Sequence, residues 1–449
     1  MRTAIPMLRL IPLTLAFSVI AAGGNRPAVV DAARNGDREA LSALVRKGAD
    51  VNAAEGDGST ALLWASYRDD ADSAALLIGA GANVNACNDS GATPLWAASQ
   101  NGSEAMVRRL LDAGANPNLA LLAGETPLMV AARSGYPGVV EQLLNKDAKV
   151  SARGARGQTS LMWAVAQKHP DVVKLLLEHG ADVNARSEVW SEMMAVPPHG
   201  YLPYNRQIPH GGDTALMFAA RVGDLDSARL LVAAGANVND ADAWGVSATV
   251  LAGHSGFRDL VEFLLKKGAD PNAAGAGFTA LHEAIMRRDA AMVSALLDSG
   301  ADPNTPLRTW TPTRRSSTDF HFEPALVGAT QFWLAARFAE PDVMRLLVKH
   351  GADPLFVHHS DEVVTKKGFA HKTDITTALM AATGMGGGGT AWVQPAGGRE
   401  ALTLEAVKVA VELGVKVDAA DADGRTALDG AKALKYKSVV AFLMEKGAQ

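Results

Sequence analysis

The apolar and polar positions of this chain recur with a fixed period. Gly48, Gly81, Gly114, Asp147 and Gly180 stand 33 residues apart, Gly235, Gly268 and Gly300 continue at 33 and 32, and Gly414 and Gly447 are again 33 apart. The positions seven, four and three before each such anchor are apolar in all eleven copies, from Leu41, Leu44 and Val45 to Val440, Leu443 and Met444. Offsets of i, i+3 and i+4 put each triplet on one face of an α-helix. A glycine then ends the helix, because it enters the left-handed region at low cost.

A second helix is predicted upstream of each triplet. Its start is marked in ten copies by a hydroxyl residue: Thr60, Thr93, Thr126, Thr159, Thr214, Ser247, Thr279, Thr330, Thr377 and Thr426. A hydroxyl there satisfies free N–H groups of the first turn. Proline follows directly at Pro94 and Pro127, a position where a helix tolerates it. Five residues after every start stands an alanine, from Ala65 to Ala431. Alanine in all ten predicts a close helix–helix contact that a larger side chain would force apart. The steps from 180 to 235, 300 to 351 and 351 to 414 exceed 33 by 22, 18 and 30 residues, as insertions within an intact period would.

These motifs resemble the ankyrin repeat. The first half of the unit stands as TPLWAASQNG at Thr93–Gly102 and TPLMVAARSG at Thr126–Gly135, the second as VVKLLLEHGADVNA at Val172–Ala185. The resemblance covers residues 26–449. It implies an all-α solenoid of about eleven helix–turn–helix repeats with projecting turns, or fingers, and long loop insertions. One departure stands out. The family usually carries His three residues after the Thr, where it bridges turns by hydrogen bonds. Here only His282 matches; the other copies carry Leu63, Trp96, Met129, Met162, Met217, Val250, Trp333, Met380 and Asp429. Apolar packing is expected to replace that bridge in most copies.

Composition then narrows the function. Lys and Arg number 43 against 48 Asp and Glu, a formal charge of −5, which argues against broad phosphate neutralisation. Cys87 is the single cysteine, so no intrachain disulfide and no Cys-based metal site can form. The first 24 residues read as a cleaved secretory signal: Arg2 and Arg9, an apolar core from Leu10 to Ile20, then Ala21, Ala22, Gly23 and Gly24. The solenoid is expected over 25–449, with no later apolar run of the roughly 18 residues needed to span a bilayer.

Four insertions, at about 187–212, 305–329, 355–375 and 384–402, are where recognition is expected. The first carries Trp190, His199, Tyr201, Tyr204 and His210 among four prolines. The second mixes Trp310, Arg314, Arg315, Phe320, His321 and Phe322. In the third, His358, His359, Asp361 and His371 raise a metal reading, but nothing in the sequence fixes their geometry and Lys366 and Lys367 oppose it. The fourth splits the two helices of one copy. Its Gly384, Gly386 and Gly389 satisfy G-x-G-x-x-G, yet a helix rather than a strand precedes them, so a flexible link with Trp392 as a contact is the better reading.

No catalytic set emerges. Gly253-His254-Ser255-Gly256 lacks the second glycine of a nucleophile elbow, and Asp50, Asn52, Asp182 and Asn184 read as repeated turn formers. The expectation is a non-enzymatic, monomeric scaffold in the cell envelope or outside the cell that binds another protein. No cofactor, metal or nucleic acid is expected. Trp190, Tyr201, Tyr204, Trp244 and Trp310 are the candidate contact residues. The alternatives are a glycan or small-ligand binder, or an enzyme, with a site built from the long aromatic loops, and a structural spacer.

Overall fold

A computed structural model describes residues 26–194, 202–311, 322–364, 370–387 and 398–449. The signal sequence expected over 1–24 lies outside these residues. The chain divides at Ser187 and Glu188 into two compact units. The first holds α1 (Ala28–Asn35), α2 (Arg38–Arg46), α3 (Ala61–Tyr67), α4 (Ala71–Gly79), α5 (Pro94–Asn101), α6 (Glu104–Asp112), α7 (Pro127–Ser134), α8 (Pro137–Leu144), α9 (Ser160–Ala166) and α10 (Pro170–Glu178). The second holds α11 (Ala215–Val222), α12 (Leu225–Ala233), α13 (Ala248–Ser255), α14 (Arg258–Lys266), α15 (Ala280–Met286), α16 (Ala290–Asp298), α17 (Gln331–Arg337), α18 (Pro341–Lys349), α19 (Ala378–Ala382), α20 (Arg399–Glu412), α21 (Ala427–Leu434) and α22 (Lys437–Glu445). These are eleven hairpin pairs, one for each copy read from the sequence.

Within each unit the odd-numbered helices pack on one another in order, and so do the even-numbered ones. The predicted stripe is the glue. In the nine interior copies the −7 and −4 positions, from Ala74 and Leu77 to Val407 and Ala410, are all completely buried. The −3 position is a flank: Ile78, Leu144, Leu177 and Val232 are only half-buried. The alanines follow the prediction too. Nine of them are 0% exposed, and Ala382 is 5%. A side chain added at such a point would push apart two helices that have no space to give. Removing a stripe leucine such as Leu77 or Leu264 would leave a cavity, at about 2–5 kcal/mol.

The hydroxyl starts act as caps in most copies. Thr60, Thr93, Thr126, Thr159, Ser247, Thr279 and Thr377 each accept from the N–H three residues on. Thr214 and Thr330 do not. The apolar substitutes for the family histidine are core residues: Met129, Met217 and Trp333 are 0% exposed. At the last copy Asp429 takes the polar role itself, accepting from the N–H (2.8 Å) and the hydroxyl (3.1 Å) of Thr426.

The asparagines do more than form turns. Asp50 accepts from the Asn52 N–H, as a turn former should. The Asn52 amide then crosses to the next copy, donating to the Gly81 carbonyl and accepting from the Asn83 N–H at 2.7 Å. Asn85 and Asn118 repeat this in the first unit, and Asn239, Asn272 and Asn304 in the second. A carboxylate could not donate the first of these bonds, which is why the position is Asn.

Asp147 occupies the left-handed position (φ 62°) that Gly114 and Gly180 hold in neighbouring copies. Nothing lies within 4 Å of a β-carbon built at Gly114, so the difference is one of backbone strain alone. That strain costs about 1–2 kcal/mol, against roughly 0.5–1 kcal/mol of extra chain entropy lost by glycine. Asp147→Gly is therefore expected to stabilise the first unit by about 0.5–1 kcal/mol, and Gly114→Asp to destabilise it similarly; the midpoints of chemical denaturation check both.

Candidate partner-binding surface

An ordinary finger here is a tight antiparallel turn. The finger before α3 closes with Gly58 N–H donating to the Glu55 carbonyl and with a bridge between Ala54 and Thr60. Adjacent fingers touch through a backbone bond, as in Asp89 N–H to Asp57 O (2.8 Å) and Leu122 N–H to Ser90 O (2.9 Å). The first three insertions are lengthened versions of this element. An antiparallel turn can be extended at its tip without moving its ends, which is why the helix period survives them.

The first insertion pairs β1 (Trp190–Met194) with β2 (Arg206–His210). The second is pinched by Leu307 against Gly328 and Ala329, and by Thr311 against Phe322. The third pairs β3 (Val357–Val364) with β4 (Ala370–Thr377), which runs straight into α19. The first and third of the expected loops are thus hairpins, and these two small sheets qualify an otherwise helical fold.

All four insertions meet within the second unit. The guanidinium of Arg206 in the first lies over the ring of Trp310 in the second, 5.5 Å from its centroid. His358 in the third donates from Nε2 to the Val327 carbonyl of the second at 3.1 Å. Gly387 in the fourth abuts both: a β-carbon there would lie 2.8 Å from Ala325 Cβ and 3.0 Å from Glu362 Oε2. Its carbonyl also accepts from Arg337 Nη2 at 2.9 Å. The expected flexible link is therefore, over Gly384–Gly387, a packed turn. Gly386 and Gly387 have φ of 95° and 72°, and a β-carbon on Gly386 would come within 2.7 Å of the Trp333 ring. Gly389 and Trp392 lie outside the described residues.

The candidate contact rings separate. Trp190 is half-buried and stacks on His210 at 4.4 Å, its cross-strand partner. Trp244 is half-buried at its finger and meets Phe278 edge-on at 5.9 Å. Trp310 is 6% exposed, so its ring is held inside the insertion cluster. Tyr201 lies outside the described residues, as do His199, Arg314, Arg315, Phe320, His321, Lys366 and Lys367. Tyr204 is described only as the end of the turn Leu202–Tyr204. The residues overlooked in the sequence are the connectors, above all Arg206 and Glu362. The period-two run of β-branched residues toward Thr377 was the available signal for the third hairpin.

That hairpin turns polar residues inward. His358, Ser360, Asp374 and Thr376 are buried together with Val363, while Val357 and Ile375 are 40% and 39% exposed. With Val189, Met193 and Leu202 of the first insertion at 60% or more, the surface carries exposed apolar groups at both ends. The histidines of the metal reading are dispersed. His358 turns inward onto Trp333, and His371 pairs through Nδ1 with Asp361 Oδ1 at 2.8 Å. Among the described residues, no three His, Cys, Asp or Glu side chains are placed to hold a metal ion. His254 of the rejected elbow instead faces Glu283, 3.1 Å away.

His282 lies beneath the second insertion, edge-on to Phe322. Its Nδ1 accepts from the Thr279 N–H at 3.1 Å, and its Nε2 lies 3.4 Å from the Gln331 side-chain nitrogen. Complete burial pushes its pKa down to about 3, so the folded protein holds it neutral. The unfolded chain binds a proton near pH 6.5 and the folded one does not, so stability is lost as pH falls below that value. Wild type is expected to be more stable than His282→Gln at pH 7. The gap should narrow toward pH 4 with a slope of at most about 1.4 kcal/mol per pH unit, read from denaturant midpoints across that range.

Family profiles described as ankyrin repeats match residues 29–120, 114–187 and 216–307 in one form, and 161–232 in another. A putative ankyrin repeat-containing protein of Treponema pallidum is 39% identical over 94 residues, 20% of this chain and 32% of that protein. The mitochondrial disaggregase of Bos taurus is 29% identical over 152 residues, 26% of this chain and 22% of that one. The chain thus spans a third or less of the length of these curated relatives. The crystal structure of the human ASB11 ankyrin repeat domain is 29% identical, with a TM-score of 0.44 over 54% of this chain and 98% of that domain.

Proposed function

The chain belongs to the ankyrin repeat family, and from that premise we propose that it is a scaffold that binds a protein partner on the surface formed by its four insertions. Ankyrin repeats are protein–protein interaction modules, and they are typically not enzymes. The observation that carries the reading is the convergence of all four insertions within one unit, linked through Arg206, Trp310, His358 and Gly387. A packed surface has already lost its conformational freedom, so association costs less than ordering loops would. Trp190 and Trp244 are the contact rings this reading favours, with the exposed Met193 and Leu202, and Tyr201 and Tyr204, on the same insertion as the first. Trp310 would act from beneath, by holding Arg206 in place.

Replacing residues 190–210 by a four-residue Gly/Asn turn is expected to lower partner capture in pull-downs at least about tenfold, with the thermal midpoint changed by under about 3 °C. Undiminished capture would remove the first hairpin from the interface. A glycan on the same aromatics is the second reading, favoured by the stacked Trp190–His210 pair; it requires ligand-dependent thermal stabilisation that the same replacement abolishes.

We further propose that the protein works in the cell envelope or outside the cell, as a monomer. Among the described residues no helix is long and apolar enough to cross a membrane. The support is the apolar run from Leu10 to Ile20 followed by Ala21, Ala22, Gly23 and Gly24. Fused to a reporter, residues 1–24 are expected to direct export with cleavage close to Gly24; a reporter retained uncleaved in the cytoplasm would refute it.

A further inference from the structure

Behind the third hairpin lies a pocket of about 280 Å³. Gly384, Met385, Gly386 and Gly387 form one side of it, and Ala433 and Leu434 of α21 another. Leu434 is 37% exposed, so the apolar wall is open to a visitor. At the polar end stand Glu362, Asp374 and Asp429, with Lys372 and Arg425.

The charges there do not balance. Arg425 is engaged by Asp421 at 2.6 Å, Asp423 at 3.3 Å and Asp374 at 3.8 Å. Lys372 faces Glu362 across the hairpin but turns to Asp374 (3.9 Å) and Asp423 (3.8 Å). Asp374, Asp421 and Asp423 thus share two cations, and Glu362 has no ion pair or hydrogen bond among the described residues. Burial raises its pKa, the Lys372 charge opposes this, and Glu323 and Asp374 add to the rise.

An aliphatic stem against Met385 and Leu434, with a cationic head at Glu362, satisfies both ends of this space. We infer that the pocket receives an arginine or lysine side chain of the protein partner. The inference rests on the reading of the chain as a partner-binding scaffold, and it adds the chemistry that one contact must have.

The test needs no partner. Acetyl-Gly-Arg-Gly-amide and its citrulline counterpart, equal in shape but uncharged, are titrated into the full chain at low salt while the amide resonances of Gly384, Gly386 and Gly387 are followed. The arginine probe is expected to shift them at about fivefold lower concentration than the citrulline probe. Glu362→Gln should erase that preference while the remaining resonances stay in place. Leu434→Lys, which sets a cation into the wall from within, should block the arginine probe. Equal response to both probes, or a preference that survives in a folded Glu362→Gln protein, would overturn the inference. Either result leaves the hairpin replacement above untouched, so the pocket and the wider surface stand or fall separately.

Discussion

A single helix pair of this chain cannot bury its own apolar stripe. Everything else in the structure follows from the need for a neighbour to cover it. Leu77 is fully buried where α2 and α6 flank α4, and Ala65 where α1 and α5 close on α3. The exposed Met444 of the last helix, at 60%, shows the same residue type where no further helix follows among the described residues. Hydrophobic burial at about 25 cal/mol per Å² is the largest favourable contribution. Because it is shared between copies, stability resides in the interfaces and not in the copies.

Hydrogen bonding then fixes the register that burial leaves loose. An apolar stripe tolerates small slips, whereas the Asn52 amide must find both the Gly81 carbonyl and the Asn83 N–H at once. Repeated along each unit, this clamp holds the bases of the fingers at a fixed spacing. Finger tips are thereby free to grow. The three lengthened fingers use that freedom, and their contact through Arg206, Trp310 and His358 turns separate protrusions into one surface.

The repeat was fully legible in the chain. Ten of the eleven copies place Ser or Thr five residues before an Ala, ten close on glycine with Asp147 in the eleventh, and helix geometry converts such separations into a face with no knowledge of the rest of the molecule. The insertions were legible only as departures from the period. Their residues hinted at chemistry through composition, as with His358 and His371, and composition does not carry direction. His358 turned inward to stack on Trp333, and His371 outward to Asp361. The glycines at 384–387 looked like a hinge because glycine permits flexibility; here glycine permits a close approach that any β-carbon would forbid.

By itself, then, the sequence determined the eleven helix pairs, their caps, their buried alanines and the places where the period is broken, because all of these depend on contacts within a copy or between copies of one kind. Only the tertiary structure decided that the first and third insertions are hairpins, that the insertions touch, that the third turns His358, Ser360, Asp374 and Thr376 inward, and that Lys372 pairs with Asp374 and Asp423 rather than with Glu362. Those outcomes depend on contacts between segments that share no repeat, such as Arg206 with Trp310 or Gly387 with Ala325, and no local spacing encodes which of them will meet.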